Sequence, residues 1–242
     1  MDYLLLLSTI LLGAVCVFLF RLHQPRHVKL LNAFTGAYLL SLTVLHLLPE
    51  LYGNGGAGGG AHAHDSLKIG GLLLAGFFIQ VALDVISMGV EHGHAHHLHG
   101  PIPFGIVAGL CVHALVEAMA LGNPATHFDP ASRRLLLWSI VLHNFPVSIA
   151  LLGMLLQTGM ARRRALGLLG VFAAMAPLGL SISSHTVLAS YSRELMAIVI
   201  GIFMHISTTI LFESSEIHRF NLAKLGAIII GTGLGILSVM LH

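Results

Sequence analysis

The chain has 242 residues, of which 56% are hydrophobic and 9% charged, and its net charge is +2. Soluble domains carry about a quarter charged residues, so this composition excludes an ordinary soluble globule and points to a chain that crosses a membrane several times. The small net charge, with basic residues in short loops and not in patches, excludes a nucleic-acid partner.

Runs of about 20 mostly apolar residues are long enough to span a bilayer. The chain holds eight: 3–20, 30–51, 69–90, 102–122, 134–157, 165–190, 194–213 and 221–242. The first run is preceded by Asp2 and followed by Arg21, Arg26 and Lys29. A secretory signal carries its basic residues before the apolar run, so a retained first helix is expected. Between the second and third spans, "YGNGGAGGGAHAHDSLK" (52–68) reads as a Gly-rich flexible link. Gly70, Gly71 and Gly76 in the third span, and Gly226, Gly231, Gly233 and Gly235 in the eighth, are placed to let helices approach closely. Cys16 and Cys111 both fall inside spans and offer no disulfide framework. The other links are short, so residues 1–242 read as one eight-helix transmembrane domain with a His-rich loop at 91–101.

Orientation follows from the basic residues. With the N-terminus outside, the inner loops hold eight (Arg21, Arg26, Lys29, Arg162, Arg163, Arg164, Arg219, Lys224) and the outer loops four (Lys68, Arg133, Arg134, Arg193). Both termini are then expected outside the cytoplasm, in a cell membrane, and the His-rich loop inside it.

Polar residues inside the apolar runs carry the functional signal, because an ionisable group in a membrane interior is costly and defaults to a functional hypothesis. In the second span, "VLHLLPEL" places His46 and Glu50 near the outer end. In the fourth, "HALVEAMALG" spaces His113 and Glu117 by four, on one helix face. In the fifth, "VLHNFPVSIA" brings His143, Asn144 and Ser148 to similar depth around Pro146, which loosens the backbone by removing one hydrogen bond. Two imidazoles and a carboxylate are a common ligand set for a borderline divalent metal such as zinc. The bland alternative for His143 is a neutral core histidine bonded to a carbonyl. In the seventh span His205 lies deep, and Glu213 and Glu216 near its inner end are pathway candidates or simply solvated acids. The loop "EHGHAHHLHG" packs His92, His94, His96, His97 and His99 together, a composition that binds metal weakly and flexibly.

These motifs together resemble the ZIP family of zinc and iron transporters. The signs are eight spans, outside termini, a His-rich loop after the third span, "VLHLLPEL", "HALVEAMALG", "HNFPVS" in place of a fifth-helix His-Glu-x-Pro-His-Glu pattern, and "APLG" (176–179) in place of a sixth-helix Pro-x-Gly. "HNFP" also resembles the fourth-helix motif of some members, and span order assigns it to the fifth. The resemblance implies an all-α bundle with inverted repeats of helices 1–3 and 6–8 around helices 4 and 5, and a metal site on helices 4 and 5. His113, Glu117 and His143 carry over as ligands. Ala114, Asn144, Val147 and Ala176 stand where the family pattern has further polar or ligating groups. With one carboxylate, the site is already net positive once a divalent ion binds, which disfavours a second cation in a low-dielectric region. One metal is therefore expected, its shell completed by water, Asn144 or Ser148.

The implied function is transport of a divalent cation into the cytoplasm, zinc first with Fe2+ or Mn2+ as alternatives, past His46 and Glu50, through the three ligands, and out toward His205, Glu213 and Glu216. The metal is substrate, not cofactor, and the protein is not an enzyme. The partners are the metal ion and the lipid bilayer, with room for a homodimer. Three rivals use the same residues: a membrane metalloenzyme activating water at an open metal position, a haem protein with His113 and His143 as axial ligands, and a non-transporting relative that senses metal. Substrate turnover separates the first, visible absorption the second, and vesicle uptake the third.

Overall fold

A computed structural model describes residues 1–20, 24–53, 61–87, 104–122, 130–212 and 222–241. The five loop histidines, together with Glu213 and Glu216, lie outside the described residues. Among those described, the regular structure is entirely helical: α1 (Asp2–Phe20), α2 (Pro25–Leu42, continuing through a π-helical turn at Thr43–Leu47 into Leu48–Gly53), α3 (Ala61–Ser87), α4 (Phe104–Met119), α5 (Pro130–Gln157), α6 (Arg162–His185), α7 (Ser192–Phe212) and α8 (Leu222–Met240). A 3-10 turn at Val187–Tyr191 joins α6 to α7. Each helix matches one of the eight expected spans, and all but α4 are long and apolar enough to cross a membrane. The helical part of α4 is 16 residues. It closes in a tightened turn in which the N–H groups of Ala120, Leu121 and Gly122 bond the carbonyls three residues back.

The expectation of a loose link over 52–68 needs correction, because helix resumes at Ala61. Apolar runs reveal only the part of a helix in hydrocarbon. Here the polar extension is held by Arg193, which donates to Asp65 at 2.6 Å, and by Lys68, which donates to Glu194 at 2.6 Å. Arg193 also reaches the Leu51 carbonyl, tying the end of α2 to α3 and α7. On the same face Arg133 binds Asp2 at 2.6 Å and the Leu121 carbonyl at 3.0 Å, joining α1, α4 and α5.

The π turn of α2 has a local cause. Pro49 has no N–H to give and its ring crowds the carbonyl of Leu45. Widening the helix lets the Leu48 N–H reach back to the Thr43 carbonyl instead, and such turns are a standard way to relieve a helix at a defect.

The helices divide into two groups of four by their closest packing. In one, α1 lies on α5 and α4 on α6; in the other, α2 lies on α8 and α3 on α7. Exchanging helices 1 with 6, 2 with 7, 3 with 8 and 4 with 5 maps these pairs onto one another, the pattern expected of inverted repeats. The groups meet mainly where α3 packs on α4 and α2 on α5. The first seam lacks a comparable counterpart between α8 and α5. A groove of about 280 Å³, lined in part by Tyr38, Trp138, Leu234 and Ser238, lies there instead.

Lipid offers no hydrophobic drive for helix association, so close backbone approach must supply the packing. Glycines provide it at the tightest pairs: a Cβ on Gly76 would strike the Ile198 carbonyl of α7, and one on Gly201 the Leu73 carbonyl of α3. The expected packing role holds for Gly231 and Gly235, which face α2, and fails for Gly71, Gly226 and Gly233, which meet nothing within 4 Å. Both cysteines are buried and unbridged, as expected.

Candidate metal site between the fourth and fifth helices

His113 and Glu117 stand one turn apart on α4, and the His113 Nε2 lies 3.1 Å from the Glu117 Oε1. His143, halfway along the 28 residues of α5, brings its ring edge-on to that of His113, with centroids 5.6 Å apart and an interplanar angle of 82°. One ligand atom from each of the three residues lies within 4.8 Å of the others. All three side chains are buried, at 0%, 0% and 1% exposure, so whatever neutralises Glu117 must act within the bundle. Glu117 Oε2 has no hydrogen-bond partner among the described residues. A carboxylate with an uncommitted buried oxygen beside two imidazoles is the arrangement that a divalent cation satisfies.

The backbone around the site explains why the sequence brings it together. Gly179, two residues after Pro177, sets α6 directly against the Leu115 carbonyl of α4. Leu115 lies between His113 and Glu117, so this contact fixes the turn that carries both ligands. On α5, Gly13 of α1 presses against Ser148. The Ser148 hydroxyl donates to the Phe145 carbonyl at 2.7 Å. Its proton is thus committed to its own backbone, whereas Asn144 Oδ1 is buried with no hydrogen bond among the described residues. Of the two, Asn144 therefore has the uncommitted side-chain oxygen.

Three of the four departures from the family pattern are buried apolar side chains. Ala114, Val147 and Ala176 are each 0% exposed, and none of the three offers a ligand atom.

The other pathway candidates fall into two separate polar groups. His46, carried on the π turn, meets the Ser132 hydroxyl at 2.7 Å and lies 3.7 Å from Glu50, near the face that holds the starts of α3 and α5. His205 of α7 pairs with Asp84 of α3 at 2.8 Å, with Thr209 at 3.5 Å and the Phe77 ring edge-to-face. Asp84 lies three residues before the end of α3, toward the opposite face.

Reading the sequence missed Gln80, Asp84 and Ser132. Gln80 is 0% exposed, and its Oε1 lies 3.0 Å from His113 Nδ1. With a metal on Nε2, Nδ1 carries the proton and donates it to Gln80, an arrangement typical of metal-ligating histidines. The available signal was that Gln80 and Asp84 are four residues apart in an otherwise apolar run, "FFIQVALD", and so share one face of α3.

The family described as ZIP Zinc transporter matches residues 93–241, which include all three ligand candidates. Among curated relatives, Zinc transporter ZIP9 of Micropogonias undulatus is 29% identical over 171 residues, covering 63% of this chain and 54% of the relative. Zinc transporter ZIP9 of Xenopus tropicalis is 29% identical over 168 residues, covering 61% and 54%. That of Macaca fascicularis is 32% identical over 109 residues, covering 41% and 46%. The chain thus spans about half the length of the curated relatives it matches. A family match across more than half of the 242 residues, on a multi-pass helical bundle, shows that the chain belongs to the ZIP family.

Proposed function

We propose that the chain carries a divalent cation, zinc foremost, across the membrane through His113, Glu117 and His143. The observation that carries this reading is the clustering of three buried ligand atoms within 4.8 Å, two from imidazoles and one from a carboxylate. A route on either side is supported by the His46–Glu50–Ser132 group toward one face and the Asp84–His205 pair toward the other. Gln80 and Asp84 share a face of α3, which makes that helix the common wall of the central and inner groups.

The direction is inward by charge bias. Among the described basic residues on the proposed outer side, Lys68, Arg133 and Arg193 are each paired with an acid, and Arg134 is exposed. On the other side Arg26, Lys29, Arg162, Arg163 and Arg164 are all exposed. Exposed positive charge on that side is what the positive-inside rule places in the cytoplasm. Both termini are then extracytoplasmic and the site lies near the bilayer midplane. The reading is of a transporter and not an enzyme, since Glu117 would have to serve as both ligand and base in a hydrolytic site.

Purified protein in oriented proteoliposomes tests this directly. Zinc should accumulate in the lumen faster than in protein-free vesicles, with ferrous iron and manganese compared in parallel. Tight zinc binding without accumulation would replace the transporter by a metal sensor.

Two further outcomes follow from the composition of the site. With serine at His92, His94, His96, His97 and His99, elemental analysis should find one tightly bound metal per chain. Two would contradict the argument from Ala114, Val147 and Ala176. The same replacement should change uptake only modestly, on the order of a few-fold, because a flexible tract raises local metal concentration without adding a step. Abolished uptake in a variant that still reaches the membrane would make the loop part of the pathway.

A further inference from the structure

We infer that Gln80 is a positioning residue that ties metal affinity to the packing of α3 on α4. This rests on the transport reading of the three-residue site and adds a fourth, non-ligating member. His113 could present either ring nitrogen to a metal. The Gln80 carboxamide oxygen, 3.0 Å from Nδ1, accepts a hydrogen bond from the tautomer protonated there and so favours the form whose Nε2 lone pair faces Glu117, 3.1 Å away. An acceptor on the distal nitrogen also makes the ligating one more basic. The contact joins two helices that belong to different groups of four, since α3 packs mainly on α7 and α4 mainly on α6.

That placement has a mechanical consequence. The ligands are wholly buried, so metal leaves only when packing around them changes, and the α3–α4 seam is one of the two main seams between the groups. A hydrogen bond of this length is lost when the partners separate by about 1 Å. Sliding at the seam therefore frees the His113 ring as it opens the site, and affinity falls at the moment of release.

The test uses the full chain with serine at the five loop histidines and measures zinc affinity by competition with a chromogenic chelator. Gln80→Met keeps the length and bulk and removes the acceptor; Gln80→Glu keeps the acceptor. Zinc should bind about 10- to 100-fold more weakly to Gln80→Met, and within about threefold of the parent to Gln80→Glu, in which the histidine retains its hydrogen-bond acceptor. If Gln80→Met does not fold, Gln80→Asn decides, because its shorter side chain withdraws the oxygen and should weaken binding at least about 10-fold. Glu117→Gln runs beside them. If it binds zinc as tightly as the parent, the three-residue site itself is wrong. If it binds weakly while Gln80→Met and Gln80→Asn match the parent, Gln80 only packs and this inference alone is overturned. A fall in metal-free thermal stability with unchanged affinity overturns it in the same way.

Discussion

Replacing Glu117 by glutamine should reduce zinc uptake by at least about 100-fold, equivalent to about 2.8 kcal/mol, while leaving the protein folded. The carboxylate is the only charged ligand in the cluster of His113, Glu117 and His143. The amide has nearly the same shape and can still meet His113, so the helix face is preserved. What it removes is the negative charge opposite a divalent cation in a buried site, where water cannot stand in for it. Metal-free stability should be unchanged or higher, because burying an ionisable side chain within a span is itself unfavourable. Uptake and thermal unfolding measured on the same preparation separate the two effects. Near-normal uptake would make Glu117 a structural residue.

Gly179→Ala should lower stability and uptake together although it touches no ligand. A Cβ at this position would overlap the Leu115 carbonyl, and a backbone atom cannot swing aside as a side-chain tip does. Overpacking of this kind typically costs about 1–3 kcal/mol, occasionally more. The strain falls between His113 and Glu117, so uptake should drop with stability. Gly167→Ala and Gly170→Ala provide the controls, since both residues lie on α6 and an added methyl would meet nothing within 4 Å at either. Both should unfold and transport as the parent does. A Gly179→Ala protein with parental unfolding temperature and uptake would show that α6 does not hold α4 as described.

The spans and the facing of His113 and Glu117 were legible in the sequence, because each follows from apolar run length or from spacing along one helix. The same is true of His46 and Glu50. The approach of His143 was expected from its similar depth in the neighbouring span and from the family resemblance. What spacing along a helix does not contain is the identity of its neighbour. Gln80 is an isolated amide until α3 is laid on α4, and Ser132 becomes the partner of His46 only when α5 meets α2. Asp84 passed as one polar residue in an apolar run, although its distance of four from Gln80 marked a shared face. The glycines show the same limit. Gly71 and Gly76 are equivalent as composition, yet only Gly76 faces α7. The start of α3 was missed for a different reason. Its first residues are polar and are held by ion pairs to α7, not by burial in hydrocarbon.

Zinc K-edge X-ray absorption on the zinc-loaded full chain, with serine at the five loop histidines, tests the three-residue site most directly. One zinc per chain is expected, with a shell of nitrogen and oxygen only, at about 2.0–2.2 Å, and the scattering signature of two imidazoles. In His143→Ala that signature should fall to one imidazole. A shell containing sulfur, one with three or more imidazoles, or a spectrum unaltered by His143→Ala would place the metal elsewhere and contradict the assignment of His113, Glu117 and His143 as its ligands.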